Sequence, residues 1–145
     1  MPKGFLRWNG GTKAAYDAEH LTGNLVHGKP EISPTSWPDG QLSPEGFATA
    51  QSRIPVVLKR GFVMDRFGLP YGRFTSPLDT SFPPRALPDY SLDDGYHRYE
   101  VLHDLPAWAG PSADAFGKTG GAPQIFMPTD IKSLLEQGFI RELAI

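Results

Sequence analysis

The sequence predicts an α+β domain, rich in short β-strands and carrying a few short helices. Three observations support this. Sixteen glycines and fifteen prolines make up more than a fifth of the 145 residues, and a chain punctuated so often turns frequently and builds little helix. Apolar–polar alternation is clearest in RYEVLHDL (98–105), where Tyr99, Val101, His103 and Leu105 share one face of a strand. The elements do not alternate strand and helix as βαβ units would.

The elements follow in order. Residues 12–21 (TKAAYDAEHL) form a short helix with Ala14, Ala15, Ala18 and Leu21 on one side. From 23 to 39, proline, glycine, serine and asparagine predict irregular chain. Ser43-Pro44-Glu45 reads as a helix start, with a serine cap, proline at the first helical position and an acid in the first turn. That helix is expected to reach residue 52. IPVVL (54–58) and FVM (62–64), separated by Lys59-Arg60-Gly61, read as two short strands or one bent strand. Turn residues recur from 68 to 94, giving a long ordered loop or a set of very short strands. PQIFM (123–127) is a strand. Thr129 caps a helix with Asp130 in its first turn and Ile131, Leu134 and Leu135 on its apolar face, and Gly138 stops it. Residues 139–145 alternate again and close the chain as a strand.

Composition narrows the function classes. The length suits one domain with a real core. A formal net charge of -2 argues against a strongly basic nucleic-acid binder. No apolar run approaches the roughly 20 residues of a membrane helix. The start, MPKGFLRWNGG, has no apolar stretch after its basic residues and does not read as a signal peptide. With no cysteine, disulfides, thiolate zinc sites and cysteine nucleophiles are excluded.

FGKTGG (116–121) invites comparison with a phosphate-binding loop. Gly117-Lys118-Thr119 supplies the second half of G-x-x-x-x-G-K-[ST], but Ser112 stands where the first glycine belongs. Gly120-Gly121-Ala122-Pro123 then breaks a helix instead of opening one. The segment is a turn between strands, and Lys118 is expected to be solvated there or to add positive charge near the site. No G-x-G-x-x-G fingerprint, G-x-S-x-G elbow, calcium loop or H-E-x-x-H pair exists. The histidines are His20, His27, His97 and His103. His97 and His103 are spaced to share a strand face, but no third metal ligand accompanies them. Paired carboxylates for glycoside hydrolysis cannot be picked out, and Asp93-Asp94 read as turn residues.

The strongest local signal is DRFGLPYGRF (65–74). Two glycines bracket aromatic residues and arginines, and Asp65-Arg66 reads as a structural charge pair. Arg66, Arg73 and Arg85, set among Phe67, Tyr71 and Phe74, suit an anionic ligand with planar rings. Guanidinium forks bind phosphate bidentately, and aromatic faces stack on rings.

DRFGLPYGRF, PPRALP (83–88), YHRYEVL (96–102), AGPSADAFGKTGGAPQ (109–124) and LLEQGFIREL (134–143) together resemble, in order and spacing, the tuberculosis necrotizing toxin (TNT) domain family. The resemblance spans roughly residues 57–143, and Trp37-Pro38 and Gly46-Phe47 extend it upstream. It divides the chain into an N-terminal extension, 1–36, and a TNT-like domain, 37–145.

The resemblance implies a β-rich fold related to ADP-ribosyltransferases and an NAD⁺ glycohydrolase releasing nicotinamide and ADP-ribose, with NADP⁺ as a possible second substrate. NAD⁺ would be substrate, with no separate cofactor. It implies a secreted or delivered effector acting in a target-cell cytosol, paired with an immunity protein. Carried over by motif, it implies Gln124, Arg66 and His97 as catalytic residues and Arg85 and Phe74 as substrate contacts. Phe67, Tyr71 and Arg73 join the substrate contacts from the same aromatic–arginine segment. Arg66 and Arg85 would clamp the diphosphate, Phe74 would stack on nicotinamide, and His97 would bind phosphate or ribose. Gln124 would orient water or bond a ribose hydroxyl. An ADP-ribosyltransferase and a non-catalytic nucleotide-binding module remain the alternatives. The transferase is disfavoured by glutamine at 124, where a catalytic glutamate is expected.

Overall fold

The computed structural model describes residues 7–26, 28–116 and 118–145; residues 1–6, His27 and Gly117 lie outside them. Helix α1 (Lys13–His20) falls within the helix expected over 12–21 and starts where Thr12 accepts the Ala15 N–H as its cap. Strands β1 (Leu21–Val26) and β2 (Lys29–Ile32) pair as a hairpin, where the sequence had suggested irregular chain. Its outward side chains are largely exposed, so no buried face left an alternating pattern to read. Residues 8–17 are tied to the 89–90 region: Trp8 N–H donates to Asp89, Tyr16 is buried and its hydroxyl accepts the Asp89 N–H at 2.7 Å, and Tyr90 bonds Asp17.

The helix expected from 43 to 52 is absent. Two 3-10 turns, Pro44–Gly46 and Ala50–Ser52, stand in its place. Glu45 and Gly46 take φ of +53° and +74°, which a right-handed helix cannot contain. Thr49 caps the second turn, and Phe47 is pulled fully into the interior. Burial of that ring and a second capping residue defeat a good N-terminal signal.

A seven-stranded antiparallel sheet follows: β3 (Ile54–Leu58), β4 (Val63–Phe67), β5 (Phe74–Pro77), β6 (Tyr96–Val101), β7 (Leu105–Pro111), β8 (Pro123–Phe126) and β9 (Ile140–Leu143). Its order is β3-β7-β8-β5-β4-β6-β9. The two strands read at 54–64 are therefore separate and far apart in the sheet. RYEVLHDL is also divided, because β6 ends at Val101 and His103 falls in the turn before β7, so His97 and His103 do not share a strand. Strand β7 was not foreseen. Pro106, Gly110 and Pro111 mask it, yet it lies between β3 and β8 with alternating burial over its first residues. Between β5 and β6, α2 (Tyr90–Asp93) is a single turn ending in the Asp93-Asp94 corner.

One sheet face carries Met64, Tyr99, Val101 and Ile125, and α3 (Ile131–Glu136) covers it with Ile131 and Leu134, all nearly solvent-free. Asp130, one residue later than expected, is the cap of α3 and accepts the Ser133 N–H at 2.7 Å. Gly138 ends this segment at φ +76°. Among the described residues, no helix is long and apolar enough to cross a membrane, and no group of three or more His, Asp or Glu side chains is placed to hold a metal.

Candidate functional site

A cleft opens where the sheet splits. Strand β5 is in register with β8 at Phe74↔Phe126 and Thr75↔Ile125, and with β4 at Met64↔Pro77 and Asp65↔Ser76. Its first half thus belongs to β8 and its second half to β4. The strands diverge, and a narrow pocket between them is bordered by Arg66, Phe67, Phe74, Arg85 and Gln124. Phe74, Arg85 and Gln124 also line an adjoining cavity of about 310 Å³, walled by Trp37, Glu45 and Gly46. Five of the eight residues singled out from sequence therefore meet at one place.

Gln124 sits on β8 opposite Gly110 of β7. Its Nε2 donates to the Glu45 carbonyl at 3.1 Å. Gly120 in the turn before it is fixed by close backbone contact. Gly120 N–H donates to Asp114 at 2.7 Å, and any side chain at Gly120 would collide with the Ser112 and Ala113 backbone. Lys118 is not solvated. It is nearly buried and ion-paired at 2.6 Å with the fully buried Asp89, beneath the Tyr16 ring. It anchors the N-terminal segment and does not border the cleft.

Arg85 is buried on a 3-10 turn, Pro83–Arg85. Its Nε and Nη2 donate to the Thr80 carbonyl, and Nη2 lies 2.6 Å from Asp65 Oδ1. Geometry there is poor for a hydrogen bond, so charge holds the pair. The other Asp65 oxygen accepts Tyr96 Oη at 2.7 Å and Asp79 N–H at 3.0 Å. Asp65 therefore pairs with Arg85 and not, as its sequence neighbour suggested, with Arg66. The Arg85 guanidinium stacks 4.9 Å above the Phe67 ring, which packs edge-on to Phe82. Phe74 packs on Phe126 with ring centres 5.1 Å apart.

Arg66 holds the loop 68–73. Its Nε donates to Leu69 O at 2.9 Å and its Nη1 to Phe74 O at 2.8 Å. Burial lowers its pKa from the usual arginine value. A Cβ at Gly72 would collide with this guanidinium, so that glycine makes room for it. By strand alternation Arg66 leaves β4 on the Met64 face, paired across to His97. Arg73 turns away from the cleft and clamps the end of β8, donating to Met127 O and Pro128 O over the Phe126 ring. Tyr71 lies in the same loop, 48% exposed. His97 stands apart on β6, with β4 between it and β5, and meets Glu142 at 3.2 Å.

Sequence reasoning missed Asp65 as the partner of Arg85, Ser112, whose hydroxyl donates to Pro84 O beside the cleft, and the Pro44–Gly46 turn against Gln124. The consecutive positive-φ positions were hidden by a helix-start signal. Trp37 and Gly46 had left a trace, as upstream extensions of the resemblance.

Comparison with known proteins agrees with the geometry. The family model described as Tuberculosis necrotizing toxin (TNT) matches residues 57–143. The conidial surface nicotinamide adenine dinucleotide glycohydrolase nadA of Aspergillus fumigatus is 33% identical over 109 residues, covering 68% of this chain and 47% of that protein. The chain thus spans about half the length of this curated relative. The structure of tuberculosis necrotizing toxin complexed with its immunity factor IFT superposes with a TM-score of 0.66 at 22% identity, covering 90% of this chain and 71% of that one. That likeness shows a shared fold, and the family match over most of the folded sheet shows descent: the chain belongs to the tuberculosis necrotizing toxin (TNT) family.

Proposed function

We propose that this chain hydrolyses the bond between nicotinamide and ribose in NAD⁺, releasing ADP-ribose. The observation that carries the reading is the convergence of Gln124, Phe74, Phe67 and Arg85 on the cleft between β5 and β8, in a family relative of a named NAD glycohydrolase. The reaction needs little from a protein in acid–base terms. Nicotinamide leaves neutral from a cationic precursor, so no general acid is required and the lack of a carboxylate pair is no obstacle. What remains is to hold the dinucleotide, position water and stabilise the oxocarbenium-like state.

The cleft has groups for each task. Phe74, fixed on Phe126, offers a flat apolar surface for the nicotinamide ring. Asp65 neutralises Arg85, so the positive ring does not face an unbalanced buried cation. Among the described residues Arg85 Nη1 has no hydrogen-bond partner, leaving its two N–H groups for diphosphate oxygens. The Gln124 amide lies at the junction of the two cavities, where it can orient water against the ribose carbon. Arg66 acts one step back, by shaping loop 68–73 and the backbone of Phe74. His97, on β6 beyond β4, lies too far toward the edge for the bond-breaking step and, with the exposed Tyr71 of loop 68–73, suits contacts with the rest of the dinucleotide. NADP⁺ shares the scissile bond and is a second substrate to test. NAD⁺ is consumed, so the reaction calls for no further cofactor. The same reading makes the protein a delivered toxin acting on a target-cell cytosol, with an immunity protein that covers the cleft.

The test is incubation with NAD⁺ and chromatography of nicotinamide and ADP-ribose, with Gln124→Ala alongside. The expected result is release by the wild type and a loss of about 10²–10³ in rate for a folded Gln124→Ala. Absence of release by folded wild type, or transfer of ADP-ribose to an acceptor, refutes hydrolysis.

A further inference from the structure

The Pro44–Gly46 turn does more than wall the cavity. Its residues are held in an uncommon shape. Glu45 has φ +53° and Gly46 φ +74°, and a glutamate in the left-handed region is strained. Surrounding contacts enforce this shape. Gly46 N–H donates to Ser43 O at 3.0 Å, Phe47 N–H to Pro44 O at 3.1 Å and Ala113 N–H to Gly46 O at 2.8 Å. Phe47 is fully buried and bridges Ser112. The consequence is one aimed carbonyl: Glu45 O, 3.1 Å from Gln124 Nε2. The Cα of Gly46 is turned toward the same amide, since a Cβ there would lie 3.7 Å from Nε2.

A side-chain amide has two ends of opposite character. Only the nitrogen meets a carbonyl oxygen favourably, so the contact fixes which end faces which way. We propose that Glu45 is a positioning residue, whose backbone carbonyl locks the Gln124 amide with Nε2 on the turn and Oε1 as the acceptor presented to the cleft. This inference rests on the hydrolase reading and adds the sense of the amide. An acceptor at this place takes a proton from water or from a ribose hydroxyl and so orients that oxygen; a donor would bind its lone pairs and blunt it. The strained turn is then a preorganising device, kept in shape by the burial of Phe47.

The test disturbs the turn and replaces none of Gln124, Phe74, Phe67 and Arg85, though a β-carbon at 46 itself touches the Gln124 amide. Valine at 46 cannot hold φ +74° without strain, so Gly46→Val moves the Glu45 carbonyl. Gly138→Val introduces the same strain at φ +76° beyond α3, away from the cleft, and is the control. If Gly46→Val does not fold, Gly46→Ala carries the same test. Two readouts are taken. In nitrogen-15 NMR, the Gln124 side-chain amide pair is identified by its loss in Gln124→Ala. Steady-state kinetics on NAD⁺ gives kcat and KM separately. The expected result is that Gly46→Val shifts the Gln124 amide pair and lowers kcat by about 10- to 100-fold with little change in KM, whereas Gly138→Val does neither. An unmoved amide pair, or wild-type kcat in Gly46→Val, overturns the inference and leaves the hydrolase reading standing. A wild type without NAD⁺ hydrolysis overturns the hydrolase reading, and the inferred catalytic role with it, even if the amide pair still reports the contact.

Discussion

Replacing Lys118 by methionine should destabilise the protein severely and leave its chemistry alone. Lys118 Nζ lies 2.6 Å from Asp89 Oδ1, with side-chain exposures of 6% and 0%. The same carboxylate accepts the Trp8 N–H, so it cannot swing out to water without undoing the N-terminal segment. Losing the cation leaves a buried carboxylate without its partner. Breaking a buried pair in this way costs about 3–5 kcal/mol. For a chain near 150 residues each kcal/mol moves the melting temperature by about 2–4 °C, so the drop should fall between about 6 and 20 °C. Melting followed by far-ultraviolet circular dichroism measures it. The double variant Lys118→Met with Asp89→Asn, which removes both charges, should recover part of the loss. Turnover of NAD⁺ well below the melting point should stay within about twofold of wild type, because Lys118 borders no wall of the cleft. A Tm unchanged within a degree, or a large loss of kcat at unchanged Tm, would refute the argument and return the FGKTGG lysine to the substrate.

Other expectations concern the loop and the titrating groups. Arg66→Ala should lower kcat/KM by about 10²-fold or more with the fold intact, and Gly72→Ala should reproduce much of that loss by evicting the same guanidinium; near-normal turnover in both would remove the loop-shaping role. Burial raises the Tyr99 hydroxyl to about 12 from an ordinary 10. A group whose folded pKa is raised adds stability that is complete below the unfolded value and is lost above it. Urea unfolding should therefore show stability falling from about pH 10 toward 12, less steeply in Tyr99→Phe. Asp130 is held below the usual carboxylate range by the Ser133 hydrogen bonds at the start of α3. Its contribution is present above pH 4 and fades as pH falls. Asp130→Ala should lower Tm at pH 7 and flatten the acid limb, while Asp130→Asn, which still caps, should keep more of the Tm.

The amino-acid sequence by itself determined the class of fold, strands such as β6 with one buried face, two of the helix starts and five of the residues that meet in the cleft. Tyr99 and Val101 alternate because β6 buries one side, and Thr12 and the Asp130 region announce helices by local hydrogen bonding. Such signals are legible because their cause lies within a few residues. Motif order across the chain carried Gln124, Arg85 and Phe74 to one site without any knowledge of the sheet.

Tertiary structure decided what depends on distant partners. The β1–β2 hairpin buries no face, and β7 is made a strand by β3 and β8 despite its prolines. The helix signal at Ser43-Pro44-Glu45 lost to the burial of Phe47, and that loss aims a carbonyl at Gln124. Asp65 lies next to Arg66 in the chain but pairs with Arg85, because β4 points the two neighbours to opposite faces. Lys118 reads as a turn lysine until Asp89, 29 residues earlier, is found beneath it. Apart from the hairpin, whose exposed strands leave no pattern to read, free energy in these cases comes from burial or charge pairing between residues far apart in sequence, and no local pattern records it.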